Sequence, residues 1–254
     1  MKLSIIMRTW NRLEYTIESI KSIRNNSGLD PFDYEIICVD QGSTDGTVEW
    51  LRAAQEDNYY PVWPVFLEKN RGDGLGMQAG ILRAEGEFIA QMDSDIELIT
   101  EDYYKKLIGL YQFLDERGYD PCAIGGTHVQ GANLDSSPFK FAKKRYDSNI
   151  YSTIPYIDPI TQTTHPIQII YSAWVTASFI FKRQFAEQRK FDKRMCNSWC
   201  GYWWDEGFMN AIYPDLKFWH IDSGETGAHV QKQYDKFPNY SYVLKNYRKF
   251  IKEK

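Results

Sequence analysis

The segment Tyr34–Asp40, YEIICVD, passes directly into Gln41-Gly42-Ser43-Thr44-Asp45-Gly46 and then into Thr47–Ala54, where Val48 and Leu51 lie at helical spacing. An apolar run of strand length, a polar turn with glycines and an amphipathic helix are the parts of a βα unit whose strand is buried on both faces. The same order recurs on either side. Upstream, the apolar Leu3–Met7 leads into Arg12–Asn25, with Leu13, Ile17, Ile20 and Ile23 on one helical face and Gly28 and Pro31 closing it. Downstream, Val62–Leu67 is a third strand, weakened by Pro61 and Pro64. Met77–Ala84 reads as a helix after the glycine-rich Asn70–Gly76, and Glu87–Met92 is a further strand that ends at Asp93-Ser94-Asp95. This alternation predicts an α/β fold, a Rossmann-like and mostly parallel sheet with right-handed crossovers flanked by helices. The polar clusters fall just after the strands, where open sheets of this kind place their ligands.

The second half is less regular. Asp102–Arg117 reads as a helix and Ala123–Gly131 as a strand with a turn, while Asp135–Thr164 is polar, aromatic and rich in turn residues, a long loop or lid. Ile167–Lys182 carries strand-like runs, Tyr202–Ile212 reads as a loop entering a helix, and the tail after His229 is basic and aromatic. Its end, Lys245–Lys254, is expected to be a solvated terminal helix. No repeat or low-complexity linker divides the chain, so one compact unit is expected.

Composition narrows the function. With 254 residues, 43% hydrophobic and 25% charged, the chain can bury the core of a soluble globular protein. Acidic residues outnumber basic ones by 34 to 30 for a net charge of −4, so a global basic field for nucleic acid is absent. Met1–Met7 is too short for a signal peptide's apolar core, and no run of about 18 apolar residues is found to cross a membrane. Cys38, Cys122, Cys196 and Cys200 form no dense framework, which suits a reducing compartment, and the expected location is the cytoplasm. Cys196, Cys200, His220 and His229 lack the spacing of a zinc site and read as ordinary side chains. The 18 Tyr, 14 Phe and 8 Trp exceed what a core alone asks for and suggest stacking surfaces.

Asp93-Ser94-Asp95 is the strongest chemical signal. Two carboxylates one residue apart at a strand's end can reach one divalent cation and an adjacent ribose. An isolated D-x-D more often marks a solvated turn, so its company decides. Thr9-Trp10-Asn11-Arg12 follows the first strand, Val39-Asp40-Gln41-Gly42-Ser43-Thr44-Asp45-Gly46-Thr47 closes the second, and Asn70-Arg71-Gly72 follows the third. In that order and spacing the chain resembles the family-2 glycosyltransferases of the GT-A fold, closely over roughly its first hundred residues. The resemblance implies that Asp40 accepts a base-edge N–H, as uracil offers, that Thr9, Trp10 and Asn11 flank the base, and that Gly42 and Ser94 lie beside the donor. It places Asp93 and Asp95 on Mn²⁺ or Mg²⁺. Arg12 and Arg71 are candidate diphosphate or base contacts. Two positions depart from the pattern. Arg8 stands where proline is common, a change given little weight. Met77 stands where arginine is frequent, leaving Arg71 to take over that contact.

Later matches are looser. Tyr171–Arg183 resembles the strand pair before the family's acceptor helix, and Phe191-Asp192 its G-F-D element. Trp203-Trp204-Asp205-Glu206 sits where the family has Glu-Asp opening a helix, with the order of the acids reversed. The tryptophans suit a sugar-stacking wall. Asp205 reads as the helix N-cap and Glu206 as the general base, with their roles open to exchange. His229 lies near the family's third metal ligand, whereas His128, His165 and His220 have no motif and read as structural.

Together these imply a metal-dependent, inverting transferase that moves sugar from a nucleoside-diphosphate sugar, a UDP-sugar first, to a hydroxyl of undetermined class. Residues 1–98 would hold the donor and 99–254 the acceptor. Nucleic acid is not an expected partner, although it stays open as an acceptor. A sugar-phosphate nucleotidyltransferase and a non-catalytic sugar-nucleotide or glycan-binding protein are the alternatives.

Overall fold

Every residue of β1 (Leu3–Thr9) and β2 (Tyr34–Asp40) is buried, which is why both read as continuous rather than alternating apolar runs. The computed structural model describes residues 2–57, 60–130, 150–170, 177–191 and 196–220. Around those two strands, α1 (Leu13–Asn26), α2 (Thr47–Asp57), β3 (Val62–Phe66), α3 (Asp73–Ile81) and β4 (Phe88–Asp93) continue the expected alternation. Then come β5 (Ile96–Leu98), α4 (Tyr103–Glu116), β6 (Pro121–Gln130), β7 (Ile150–Ile157), β8 (Thr164–Ile170), β9 (Ser178–Lys182), α5 (Arg183–Gln188), α6 (Cys196–Asp205) and β10 (Met209–His220).

One mixed, mostly parallel sheet has the order β3-β2-β1-β4-β9-β6-β10-β8-β7, with β5 also paired to β10. β3, β2, β1 and β4 are mutually parallel. β9 enters antiparallel to both β4 and β6, and β10 runs parallel to β6. The carboxyl ends of β1, β2, β4, β6 and β10 therefore share one edge of the sheet. Alternation along β1 divides the core: Leu3, Ile5 and Met7 pack with α1 and α4, and Ile6 packs with Met77, Phe179 and Phe181 on the other face.

The inner face of α1 is polar where an apolar stripe was expected. Thr16, Ser19 and Ser22 are buried beside Ile20 and Ile23. Ser19 Oγ donates to the carbonyl of Ser94 at 2.9 Å, Ser22 Oγ accepts from Leu98 N at 3.0 Å, and Asn26 Nδ2 donates to Leu98 O at 2.7 Å. Small hydroxyls let the helix approach closely and satisfy the backbone of a turn and a short strand that would otherwise be buried unpaired.

Three expectations change. The supposed lid at Asp135–Thr164 contains β7, which pairs antiparallel with β8; residues 135–149 of that segment lie outside the described residues. α3 begins at Asp73 rather than Met77, because Gly74, Gly76 and Gly80 form its buried face and hide the helix from a hydrophobicity pattern. At Tyr202–Ile212 the order is reversed, a helix followed by a strand. Gly207, at φ +93°, stops α6 in a Schellman turn, in which Gly207 N donates to Trp204 O and Phe208 N to Trp203 O, both at 2.9 Å.

Ser22→Val is expected to lower stability by about 1–3 kcal/mol in urea unfolding, because it leaves the Leu98 N–H buried without an acceptor. A change indistinguishable from zero would show that β5 is not held by α1.

Candidate functional site

A cavity of about 560 Å³ opens at the shared carboxyl edge, walled by Arg8–Arg12 at the end of β1, Gln41, Thr44 and Asp45 after β2, Asn70 and Asp73 at the start of α3, and Asp93–Asp95 at the end of β4. Thr9, Trp10, Asn11, Arg12, Asp93, Ser94 and Asp95 thus converge on one cavity. Trp10 remains 39% exposed within that wall.

The two loops after β1 and β2 brace each other. Asn11, at φ +50°, tolerates the left-handed backbone as asparagine does. Its N–H donates to Ser43 Oγ at 2.8 Å, and its Oδ1 accepts from Thr44 N at 2.7 Å. Asp45 serves two helices at once: Oδ2 accepts from Leu13 N at 3.0 Å, and Oδ1 accepts from Thr47 N at 3.1 Å. Asp40 is 1% exposed. Its Oδ2 accepts from Gly42 N at 3.0 Å and Ser43 N at 3.1 Å, while its Oδ1 is buried with no hydrogen-bond partner among the described residues. Gly42 adopts φ +81°, and a Cβ there would sit 2.9 Å from Glu68 O. Asp40 and Gly42 therefore shape the turn directly behind the cavity wall that Thr9 and Gln41 form.

Strand register assembles the charged centre. Arg8 lies opposite Asp93 in the β1–β4 pairing, and its guanidinium donates to the Asp93 carboxylate. His220 lies opposite Ile96, next to Asp95, in the β10–β5 pairing. Asp95, 3% exposed, accepts from Arg12 Nη1 at 2.5 Å and lies 3.4 Å from His220 Nε2. Burial alone would raise the Asp95 carboxyl, but the charges of His220 and Arg12 and hydrogen bonds from both hold it well below the usual range. Burial pushes Asp93 up, against Arg8 and with help from the neighbouring Asp95 charge. His220 is desolvated, yet the charge and hydrogen bond of Asp95 raise it.

Asp93, Asp95 and His220 each offer a ligand atom within 4.8 Å of the others. Two hard oxygens and an imidazole fit Mn²⁺, and the carboxylates alone fit Mg²⁺ with its retained waters. His220, read from sequence as structural, stands where it could supply a third ligand, and His229 lies outside the described residues. A polar residue ending the apolar strand LKFWH was the available signal, the same one that marks Asp40 and Asp93.

Other assignments are corrected. Arg8 carries weight after all: a cation buried inside LSIIMRT requires a partner, and that was its signal. Arg71 is exposed and outside the cavity wall, with its backbone N donating to Gln41 Oε1 at 3.0 Å. Met77 itself points into the core. Gln41 and Asp73 join the wall without having been singled out. Trp203 is core, edge-on to Phe185 at 4.8 Å, and Trp204 packs edge-on against Tyr151 at 5.9 Å. Neither forms a sugar-stacking wall at the cavity. Asp205 and Glu206 are exposed at the end of α6, just before Met209. Met209 pairs with Pro121 and His220 with Gln130, so the acids sit at the opposite edge of the sheet from Asp93. Asp205 ends a helix and caps none, and Glu206 is not placed as a base at this cavity. Tyr171–Thr176, Asp192 and the tail with Lys245–Lys254 lie outside the described residues.

The sequence model of the family described as "Glycosyl transferase family 2" matches residues 4–133, just over half of the chain. Among curated proteins, a dolichol-phosphate mannosyltransferase of Pyrococcus furiosus is 31% identical over 139 residues, covering 55% of this chain and 37% of its own length. The chain thus spans well under two thirds of that relative. Among solved structures, the mannosyltransferase PcManGT of Pyrobaculum calidifontis, in complex with GDP-Man and Mn²⁺, superposes with a TM-score of 0.63 at 15% identity, covering 96% of this chain and 64% of that one. S. aureus TarS 1–349 in complex with UDP-GlcNAc gives 0.58 at 19% identity, covering 91% and 61%. At such identities these two establish the shared GT-A fold.

Asp45→Ala is expected to cost about 1–2 kcal/mol in thermal or chemical unfolding, since it strips acceptors from two helix N-termini, and Asp45→Asn, whose amide keeps a single acceptor oxygen and turns a donor toward the other N–H, should recover only part of that loss. A loss too small to measure in Asp45→Ala would show that the shared carboxylate does not hold the two helix starts.

Proposed function

This chain belongs to glycosyl transferase family 2, and from that premise we propose that it transfers a sugar from a nucleoside-diphosphate sugar, a UDP-sugar first, to an acceptor oxygen with inversion at the anomeric carbon. The observation that carries this reading is the convergence of Asp93, Asp95 and His220 beside Arg8 and Arg12 at the carboxyl edge of the sheet. A divalent ion bound there would neutralise the departing diphosphate. Arg8 and Arg12 supply guanidiniums with the fork geometry that diphosphate oxygens accept. Trp10 offers a half-exposed ring for the base or sugar. Asp40 Oδ1, a buried acceptor without a partner among the described residues, is assigned to a base-edge N–H. Its strand partner Thr9 and its neighbour Gln41 both line the cavity. The donors named with the two solved neighbours support a nucleotide sugar and leave guanine as the rival base.

Residues 1–98 would serve the donor and 99–254 the acceptor, with the qualification that β10 returns His220 to the donor side. The acceptor is a hydroxyl in the first reading. A second reading, a polyprenyl phosphate, gains support from the placement of Asp205 and Glu206 away from the cavity. A phosphate monoester is already anionic, with its second ionisation near pH 6, and needs no general base to attack. The name of the Pyrococcus relative points the same way. Among the described residues no helix is long and apolar enough to cross a membrane. Cytoplasmic placement is supported by the buried free thiols of Cys38, Cys122 and Cys200.

Calorimetry is expected to show UDP binding that requires Mn²⁺ or Mg²⁺ and is lost in EDTA, in Asp95→Ala and in His220→Ala. Equal affinity with EDTA and with Mn²⁺ would remove the ion from this reading. Asp40→Asn should narrow the preference for UDP over CDP by about 1–2 kcal/mol, as a charge-assisted bond becomes a neutral one. An unchanged preference would count against Asp40 as the base-reading residue.

A further inference from the structure

The ligand carboxylates are already engaged by cations. Arg8 is paired with Asp93 and Arg12 with Asp95, so two positive charges of the chain itself occupy the place where a divalent ion would bind. Building that ion onto a balanced group of two carboxylates and two guanidiniums, with His220 alongside, sets it against two fixed positive charges in a poorly solvated site. The Arg8 side chain also has a built corridor. A Cβ on Gly76 would lie 3.3 Å from Arg8 Cγ and 3.3 Å from Gln41 Oε1, closer than ordinary side-chain contact, so glycine at 76 leaves space for the arginine stem between α3 and the cavity wall. Position 77, where the sequence led us to look for an arginine, faces the core as Met77. The cation at this wall therefore comes from β1.

We propose that Arg8, with Arg12 as its counterpart, is an exchangeable counter-ion: it neutralises the acidic pair before an ion binds and passes to the donor's diphosphate when a divalent ion takes the carboxylates. This rests on the reading of the site given above and adds a linkage to it. The bare ion meets competing guanidiniums and binds weakly. The diphosphate draws those guanidiniums away, so ion and nucleotide each raise the affinity for the other. Charge stays balanced throughout, because the diphosphate supplies the anions that the two arginines lose.

The test is Mn²⁺ binding to the nucleotide-free protein, followed by electron paramagnetic resonance of free Mn²⁺, with UDP affinity at saturating Mn²⁺ measured in parallel. Arg8→Gln is expected to tighten the bare ion by on the order of tenfold while weakening UDP by a similar factor, so that the mutual enhancement of ion and nucleotide shrinks. A residue that only supported the fold would weaken both. Unchanged or weaker binding of bare Mn²⁺ in Arg8→Gln overturns the exchange. Should that variant not fold, Arg12→Gln, at the more accessible of the two arginines, carries the same expectation and the same overturning result. Asp95→Ala separates the two levels. If it loses the ion and the arginine variants do not tighten it, the site reading stands and the exchange fails. If it retains the ion, the site reading fails and the exchange with it.

Discussion

Two carboxylates at the end of a buried strand repel each other, Asp95 with almost no access to water, and the surrounding structure is organised by the need to hold them there. Asp93 is answered from β1 by Arg8, and Asp95 from the β1–α1 junction by Arg12 and from β10 by His220. Each answer depends on strand register, because sliding β1 by one residue would turn Arg8 to the other face of the sheet. The backbone between the acids is fixed separately. Ser19 takes the carbonyl of Ser94, while Ser22 and Asn26 bind Leu98 just beyond. The buried serines of α1 thus set the position of charges they never touch.

The first hundred residues were legible because their signals are local. A buried parallel strand is a continuous apolar run, its helix begins where the polar turn ends, and β2 matches the segment read from the sequence at both ends. The site residues in those turns came with the same signal, since each follows directly on a strand. Arg8 and His220 were missed for the opposite reason. Arg8 is inside its strand and gains meaning only through Asp93 across the β1–β4 register. His220 is brought to Asp95 by pairings that join residues more than a hundred positions apart, which no spacing in the chain displays.

The region 202–212 failed on a different physical point. Trp203 and Trp204 next to two acids look like an exposed binding wall, but Trp203 belongs to an aromatic group with Phe185, Trp199 and Phe208, and Trp204 packs against Tyr151. Nothing local distinguishes a tryptophan that stacks on a ligand from one that packs on other rings. The Schellman turn at Gly207 was readable in principle as a helix end, yet Asp-Glu before it suggested a helix start, and the competing cues pointed in opposite directions along the chain.

The braced loops around Asp45 also decide what kind of anion field the cavity has. Helix N-termini carry partial positive charge and ordinarily make ready phosphate cradles. Here Asp45 already spans the starts of α1 and α2, with Glu14 and Glu49 in their first turns, and α3 opens on its own Asp73. All three macrodipoles that border the cavity are thereby quenched by carboxylates of the chain. An incoming polyanion meets a carboxylate at each of those helix starts, so its attraction to the cavity rests chiefly on discrete point charges, and ionic strength and divalent-ion supply become the natural controls on its residence there.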